Sequence, residues 1–183
     1  MKRKLVILAV CAWSIFDASA APVRCTGFEE SDETAMNSNS NAILEITEAG
    51  KDEVIPEGKK YLKVSMTVTD DQAWMNIRIP KDKIPAEATK ITMWIKGSPD
   101  NKGRGPVLNL GNWYWNGNQP SKIIDMSEPE WVKYEFNANN FEIWPVAPGK
   151  LKINDNQHIY ISYKPLLNNT GTIKFCIDDI EVE

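Results

Sequence analysis

The sequence holds a single histidine, His158, in 183 residues. That excludes a histidine-rich metal centre, and Ser-His-Asp chemistry would have to run through this one imidazole. His158 stands at the start of a strand-like segment and reads as a structural or surface group. Copper-dependent oxidative cleavage of polysaccharides would need a histidine at the mature amino terminus, where Ala21 is expected instead. Long apolar runs are also missing. The one at residues 5–16 is short of the roughly 20 residues that span a bilayer as a helix. It follows Lys2, Arg3 and Lys4 and precedes Ala18-Ser19-Ala20, the form of an export signal. Leu8-Ala9-Val10-Cys11 resembles a lipobox superficially, but Val10 is bulkier than the small residue such a site uses.

Residues 1–20 are therefore read as a signal peptide and residues 21–183 as one domain. The expected protein is secreted, extracellular or periplasmic, monomeric, and without membrane insertion. Basic charge is also scarce: the formal net charge is −4, and loss of the basic leader makes it more acidic. No nucleic acid partner is expected of such a chain. Only three cysteines occur, and outside the leader they are Cys25 and Cys176. An even count in an exported chain favours a disulfide between them, against the alternative of two buried thiols. A bridge closing so long a loop would stabilise the fold by roughly 4–5 kcal/mol.

Helical periodicity is absent as well. What the sequence has instead is period-two alternation in short segments broken by turn residues. Leu62, Val64, Met66 and Val68 share one face of a strand, as do Met75, Ile77 and Ile79 of the next. Ile91, Met93 and Ile95 oppose Thr92, Trp94 and Lys96. Residues 107–115 alternate Leu108 and Leu110 against Asn109, Gly111 and Trp113; Val132, Tyr134 and Phe136 form a further row, and Ile159 and Ile161 another. Ile173, Phe175 and Ile177 are in phase, and Ile180 and Val182 fall in the other phase, so a β-bulge is expected at Asp178-Asp179. With residues 25–29 and 42–47 this makes nine short strands. Residues 31–41, 51–60, 98–106 and 144–149 read as loops. The pattern predicts an all-β, jelly-roll β-sandwich of two antiparallel sheets.

Seven tryptophans are present, of which Trp13 lies in the leader. Flat patches of C–H on sugar rings stack on aromatic faces, and neighbouring polar groups select hydroxyls. Large aromatics are unusual on a solvated sheet face, because exposed apolar patches invite association. The strand phases put Trp74, Trp94, Trp113 and Tyr160 on the non-core side, with Asn76, Arg78, Lys96, Asn109, Ser162 and Lys164. These residues are read as one ligand platform, with residues 112–118 closing one end and Trp144 on a nearby loop. The competing reading, ordinary sandwich filling, is strong for Trp131 and evenly balanced for Trp94. Arg78, Lys96 and Lys164 give the platform a basic bias that would suit an acidic sugar. A glycosidase would need a carboxylate pair. Glu135 and Glu142 are the nearest candidates, but among 25 acidic residues a chance pair proves nothing. The chain is read as not an enzyme.

Gly27-Phe28-Glu29, Tyr61-Leu62-Lys63-Val64, Met93-Trp94-Ile95-Lys96-Gly97, Glu130-Trp131-Val132 and Ile177-Asp178-Asp179-Ile180-Glu181-Val182 occur in that order. Together they resemble the galactose-binding-like jelly-roll carbohydrate-binding modules found beside polysaccharide-degrading enzymes. The resemblance covers essentially all of residues 21–183. It implies a two-sheet sandwich with adjacent first and last strands, a concave ligand-binding sheet and often one structural Ca²⁺. Matching the family's calcium motif points to Glu29 and Asp179, with Glu30 and Asp178 alongside. The expected partner is a polysaccharide or oligosaccharide, neutral or acidic. A small jelly-roll glycoside hydrolase or lyase, and a structural or adhesive envelope protein, are the alternatives.

Overall fold

The computed structural model describes residues 21–29, 35–101, 107–111, 119–120, 124–137, 141–142, 153, 158–163 and 170–183, with backbone only at 35, 107–111, 119–120 and 141–142. The expected signal peptide lies outside them, as do Glu30, Trp113, Trp115, Trp144 and Lys164. The described strands are β1 (Val23–Thr26), β2 (Ala35–Ser38), β3 (Ala42–Glu48), β4 (Lys60–Val68), β5 (Ala73–Arg78) and β6 (Lys90–Lys96). They continue with β7 (Val107–Gly111), β8 (Gln119–Pro120), β9 (Val132–Asn137), β10 (Phe141–Glu142), β11 (His158–Tyr163) and β12 (Gly171–Val182). Among the described residues no helix is long and apolar enough to cross a membrane.

The strands form a larger sheet in the order β3-β4-β12-β6-β9, with β1 also pairing β12, and a smaller sheet in the order β2-β5-β11-β7. A two-stranded ribbon joins β8 to β10. Every pairing is antiparallel. This is the all-β jelly-roll sandwich that the alternation predicts. Leu62, Val64, Met66, Ile91, Met93, Ile95, Ile173, Phe175 and Ile177 face inward from the larger sheet. Met75, Ile77, Ile159 and Ile161 face inward from the smaller one, and all belong to one buried core. Each such side chain contributes roughly 1.5–3 kcal/mol through removal from water.

The middle strand of the larger sheet is β12. Its residues Gly171 to Ile177 pair with β4, and Ile180 to Val182 pair with β1. On its other edge β6 runs along Cys176 to Val182, with a register shift between Asp178 and Glu181. The bulge is therefore where the phase change places it. Asp179 takes φ 46° there, a left-handed conformation uncommon outside glycine. This extra residue returns Ile180 and Val182 to the core side, where both are buried.

Two expectations are corrected by this register. Residues 35–38 read as loop but form edge strand β2, too short and polar to show alternation. Cys25 and Cys176 are free thiols and not a disulfide. Arg24 and Thr26 pair with Glu181 and Ile180, whereas Cys176 pairs with Lys63 and Lys96. Four residues of strand separate the two rows, about 13 Å at ~3.3 Å per residue, and a disulfide needs Cα atoms about 4.4–6.8 Å apart. Cys25 also points into the core, while Cys176 sits in the outward phase between buried Phe175 and Ile177.

Both thiols should accordingly alkylate in denaturant without reductant, and reductant should leave the thermal midpoint unchanged. Burial pushes the Cys25 thiol up to about 12, so in the folded protein Cys176 should react first. Mass spectrometry showing no alkylation until reductant is added would contradict the register.

Candidate functional site

The site is built on the outer face of the smaller sheet. With Met75, Ile77, Ile159 and Ile161 committed inward, alternation sends Trp74, Asn76 and Arg78 of β5, and His158, Tyr160 and Ser162 of β11, to the other side. Register arranges them in rows. Asn37, Asn76, Tyr160 and Asn109 lie across from one another on the four strands. Ala35, Arg78, His158 and Gly111 form the next row. On the other side Trp74 pairs with Ser162, which pairs with Val107.

Trp74 and Tyr160 are diagonal neighbours in this grid. Their rings lie 5.7 Å apart between centroids and within 28° of parallel. Both are partly exposed, so they present aromatic surface where the flanking groups are polar. Asn76 beside them is only 6% exposed. Its Oδ1 lies 3.1 Å from His158 Nδ1. Burial, helped by the charge of Arg78, holds the His158 imidazole below its ordinary value and favours the neutral ring. Burial likewise pushes the Tyr160 phenol up to about 12, which keeps it a protonated hydroxyl at any physiological pH. Ser162 is wholly buried, and its Oγ has no hydrogen-bond partner among the described residues.

Asn39 fixes the start of β5. Its Oδ1 accepts from the Trp74 amide at 3.1 Å, its Nδ2 donates to Gln72 O at 2.7 Å, and its own amide donates to Trp74 O at 3.2 Å. The tryptophan backbone is thus clamped on both of its hydrogen-bonding groups by one residue of the β2–β3 turn. Asn37, Asn39 and the His158–Asn76 contact were not singled out by sequence reasoning. Asn37 and Asn39 lie in a polar run without alternation, and no spacing rule links residues 82 positions apart.

The structure brings together Trp74, Asn76, Arg78 and Tyr160, with Asn109 at the register position beside Tyr160. It does not bring Trp94 and Lys96 to them. Both are on β6 in the larger sheet, so they face away on the opposite side of the sandwich. There Trp94 lies across from Asp178 and Lys133. Lys96 Nζ is 3.2 Å from Glu53 Oε1 and 5.9 Å from the Trp131 ring centroid, and Trp131 packs edge-on against Tyr61. Tyr61 Oη donates to Glu53 Oε2 at 3.3 Å. Glu135, the carboxylate weighed for glycoside hydrolysis, is also on that far face, opposite Thr92. Of the platform's three basic residues, only Arg78 is described on the aromatic face.

The acidic residues expected to hold Ca²⁺ lie where β1 meets β12, but they are committed elsewhere. Glu29 Oε1 accepts the amides of Lys59 at 2.6 Å and Lys60 at 2.9 Å. Burial opposes ionisation of Glu29, yet these amides and nearby cations outweigh it and hold the carboxyl below its ordinary value. Asp178 is fully buried; its Oδ2 accepts the Glu57 amide at 3.1 Å and its Oδ1 the Asp179 amide at 2.8 Å. Asp179 Oδ1 is 3.2 Å from Arg24 Nε. Calcium takes six to eight oxygens around one point. Among the described residues no group of three or more Asp, Glu, His or Cys is arranged to hold a metal. The described donors do not fit calcium.

No protein-family model and no curated protein matches the chain. Solved structures do. A family 11 carbohydrate-binding module from Clostridium thermocellum, in complex with a β-1,3-1,4-mixed-linked tetrasaccharide, is 18% identical with a TM-score of 0.59, covering 90% of this chain and 96% of that one. The family 11 module of the cellulosomal cellulase Lic26A-Cel5E of Clostridium thermocellum reaches 0.62 at 18% identity, over 90% and 95%. The K2 adhesin domain of Lys-gingipain reaches 0.57 at 9% identity, over 89% and 99%. The chain has the jelly-roll fold of carbohydrate-binding modules, a fold that an adhesin domain shares.

Burial pushes the Asp178 carboxyl from an ordinary 3.8 up to about 7, against the pull of its two amide donors. Between those values the folded state holds a proton that the unfolded state has released, so Asp178 costs stability as pH rises. The thermal midpoint of the parent relative to Asp178→Asn should fall from pH 5 to pH 8. A difference that stays constant or rises would refute the burial of this carboxyl. Glu29 acts in the opposite sense, and its contribution is lost only below about pH 4.5.

Proposed function

We propose that this chain is a secreted, non-catalytic carbohydrate-binding protein that holds a polysaccharide on the outer face of β2-β5-β11-β7. The observation that carries the reading is the pair of near-parallel, partly exposed rings of Trp74 and Tyr160, 5.7 Å apart, set among Asn37, Asn76 and Arg78 on one sheet face. Aromatic surface of this kind loses little by leaving water against the C–H face of a pyranose. Amide groups of Asn76 and its row neighbours then supply donors and acceptors for hydroxyls, with Asn109 one position beyond Tyr160. The clamp from Asn39 holds the Trp74 backbone in advance, so less order has to be created on binding.

Support for a binding role over catalysis comes from the same face. Its described residues on β5 and β11 include no carboxylate, and His158 is turned to Asn76. With Lys96 on the far side, a neutral glycan suits this face better than a polyuronate. Arg78 remains at one rim, opposite His158. A mixed-linked β-glucan is the natural first ligand to try, since a module of the same fold binds a β-1,3-1,4-linked tetrasaccharide.

Trp74→Ala and Tyr160→Ala should each weaken retention in glucan-containing affinity gels about tenfold or more, with thermal midpoints within a few degrees of the parent. Trp94→Ala should bind as the parent does. Normal binding by both platform variants, or loss confined to Trp94→Ala, would put the site elsewhere. Steep weakening with salt on an acidic polysaccharide would replace the neutral ligand by a uronate bound through Arg78. New reducing ends or unsaturated products would make the chain an enzyme.

A further inference from the structure

Among the described cations near the acidic groups where the first and last strands meet, Arg24 is paired with two of those acids at once. Arg24 Nε lies 3.2 Å from Asp179 Oδ1, and its Nη1 lies 3.6 Å from Glu57 Oε1. The same guanidinium acts electrostatically on Glu29 and on buried Asp178. Three segments are thereby tied at one point: β1 through Arg24, the 49–59 loop through Glu57, and the β12 bulge through Asp179.

The backbone makes room for this group. Gly27 follows β1, and a Cβ there would collide with the Arg24 guanidinium. Any other residue at 27 would push the side chain off the acids. The next residue, Phe28, takes φ 61°, and its ring is buried in the core at 1% exposure. Its amide donates to Thr26 Oγ1 at 3.0 Å. The chain turns sharply here and brings Glu29 back to the Lys59 and Lys60 amides. Glu57 completes the circuit by giving its amide to Asp178 and its carboxylate to Arg24.

We infer that Arg24 is the built-in cation of this junction, and that it joins the first strand to the last without calcium. A planar guanidinium with five donors can serve two carboxylates on different elements at once. Glu29 Oε1 and both Asp178 oxygens are already taken by backbone amides.

The test is thermal unfolding of the parent, Arg24→Met and Arg24→Lys, each with chelator and with millimolar CaCl₂, at pH 7.5 and pH 4.5. The parent midpoint should be the same in chelator and in calcium. Arg24→Met keeps the apolar stem and removes the charge. Its midpoint should fall by about 5 °C at pH 7.5 and by clearly less at pH 4.5, toward which burial raises the Asp179 carboxyl. Arg24→Lys should lie between the two, and it serves if Arg24→Met does not fold. A parent that chelator destabilises and calcium restores would overturn the inference. So would an Arg24→Met deficit equal at both pH values, which would mean that Arg24 only packs.

Discussion

The sandwich depends on one strand being usable on both edges along its whole length. β12 has β6 on one side and, on the other, β4 followed by β1. No straight strand of alternating residues could do this here, because the sequence changes phase between Ile177 and Ile180. Without an extra residue, Ile180 and Val182 would face water and β1 would have no apolar partner. The bulge at Asp178-Asp179 absorbs the change. Its costs are a left-handed Asp179 and a carboxylate buried at Asp178. Amide donors from Glu57 and Asp179, and the guanidinium of Arg24, keep those costs bearable.

The same arrangement explains why the aromatic platform is on the smaller sheet. The outer face of the larger sheet is taken up by its own side chains and by the 49–59 loop. Glu53 reaches Lys96 and Tyr61, Glu57 reaches Asp178, and Trp131 closes against Tyr61. Lys133 and Glu181 pair across the surface nearby. Charges there are mutually neutralised and aromatic rings are packed. On the smaller sheet Trp74 and Tyr160 stack on each other beside a row of amides and stay partly exposed.

Strand positions were legible in the sequence because alternation is a local property that burial enforces residue by residue. Leu62 to Val68, Ile91 to Ile95 and Ile173 to Val182 all face as their phase predicts, bulge included. Which sheet a strand joins is not local. β5 and β6 carry the same kind of pattern, yet Trp74 and Trp94 end on opposite sides of the molecule, since hydrogen bonding to β11 or to β12 decides the matter. Lys96 went with Trp94 for that reason. Cys25 and Cys176 looked like partners because an exported chain holds two cysteines outside its leader, but a count says nothing of register, and four residues of offset separate them. The resemblance singled out Glu29 and Asp179 at the junction of the first and last strands. The motif could not reveal that Arg24 stands between the carboxylates of Asp179 and Glu57.

The pairing of Val23 with Val182 has a topological consequence. A polypeptide joined ahead of β1 and one joined after β12 would meet the fold side by side, on the same edge, roughly one strand spacing of 5 Å apart. The fold could therefore be spliced into a surface turn of another protein with almost no separation imposed on the host's two ends. By the same geometry a short linker would make the chain circular, and new ends could be opened at any exposed turn.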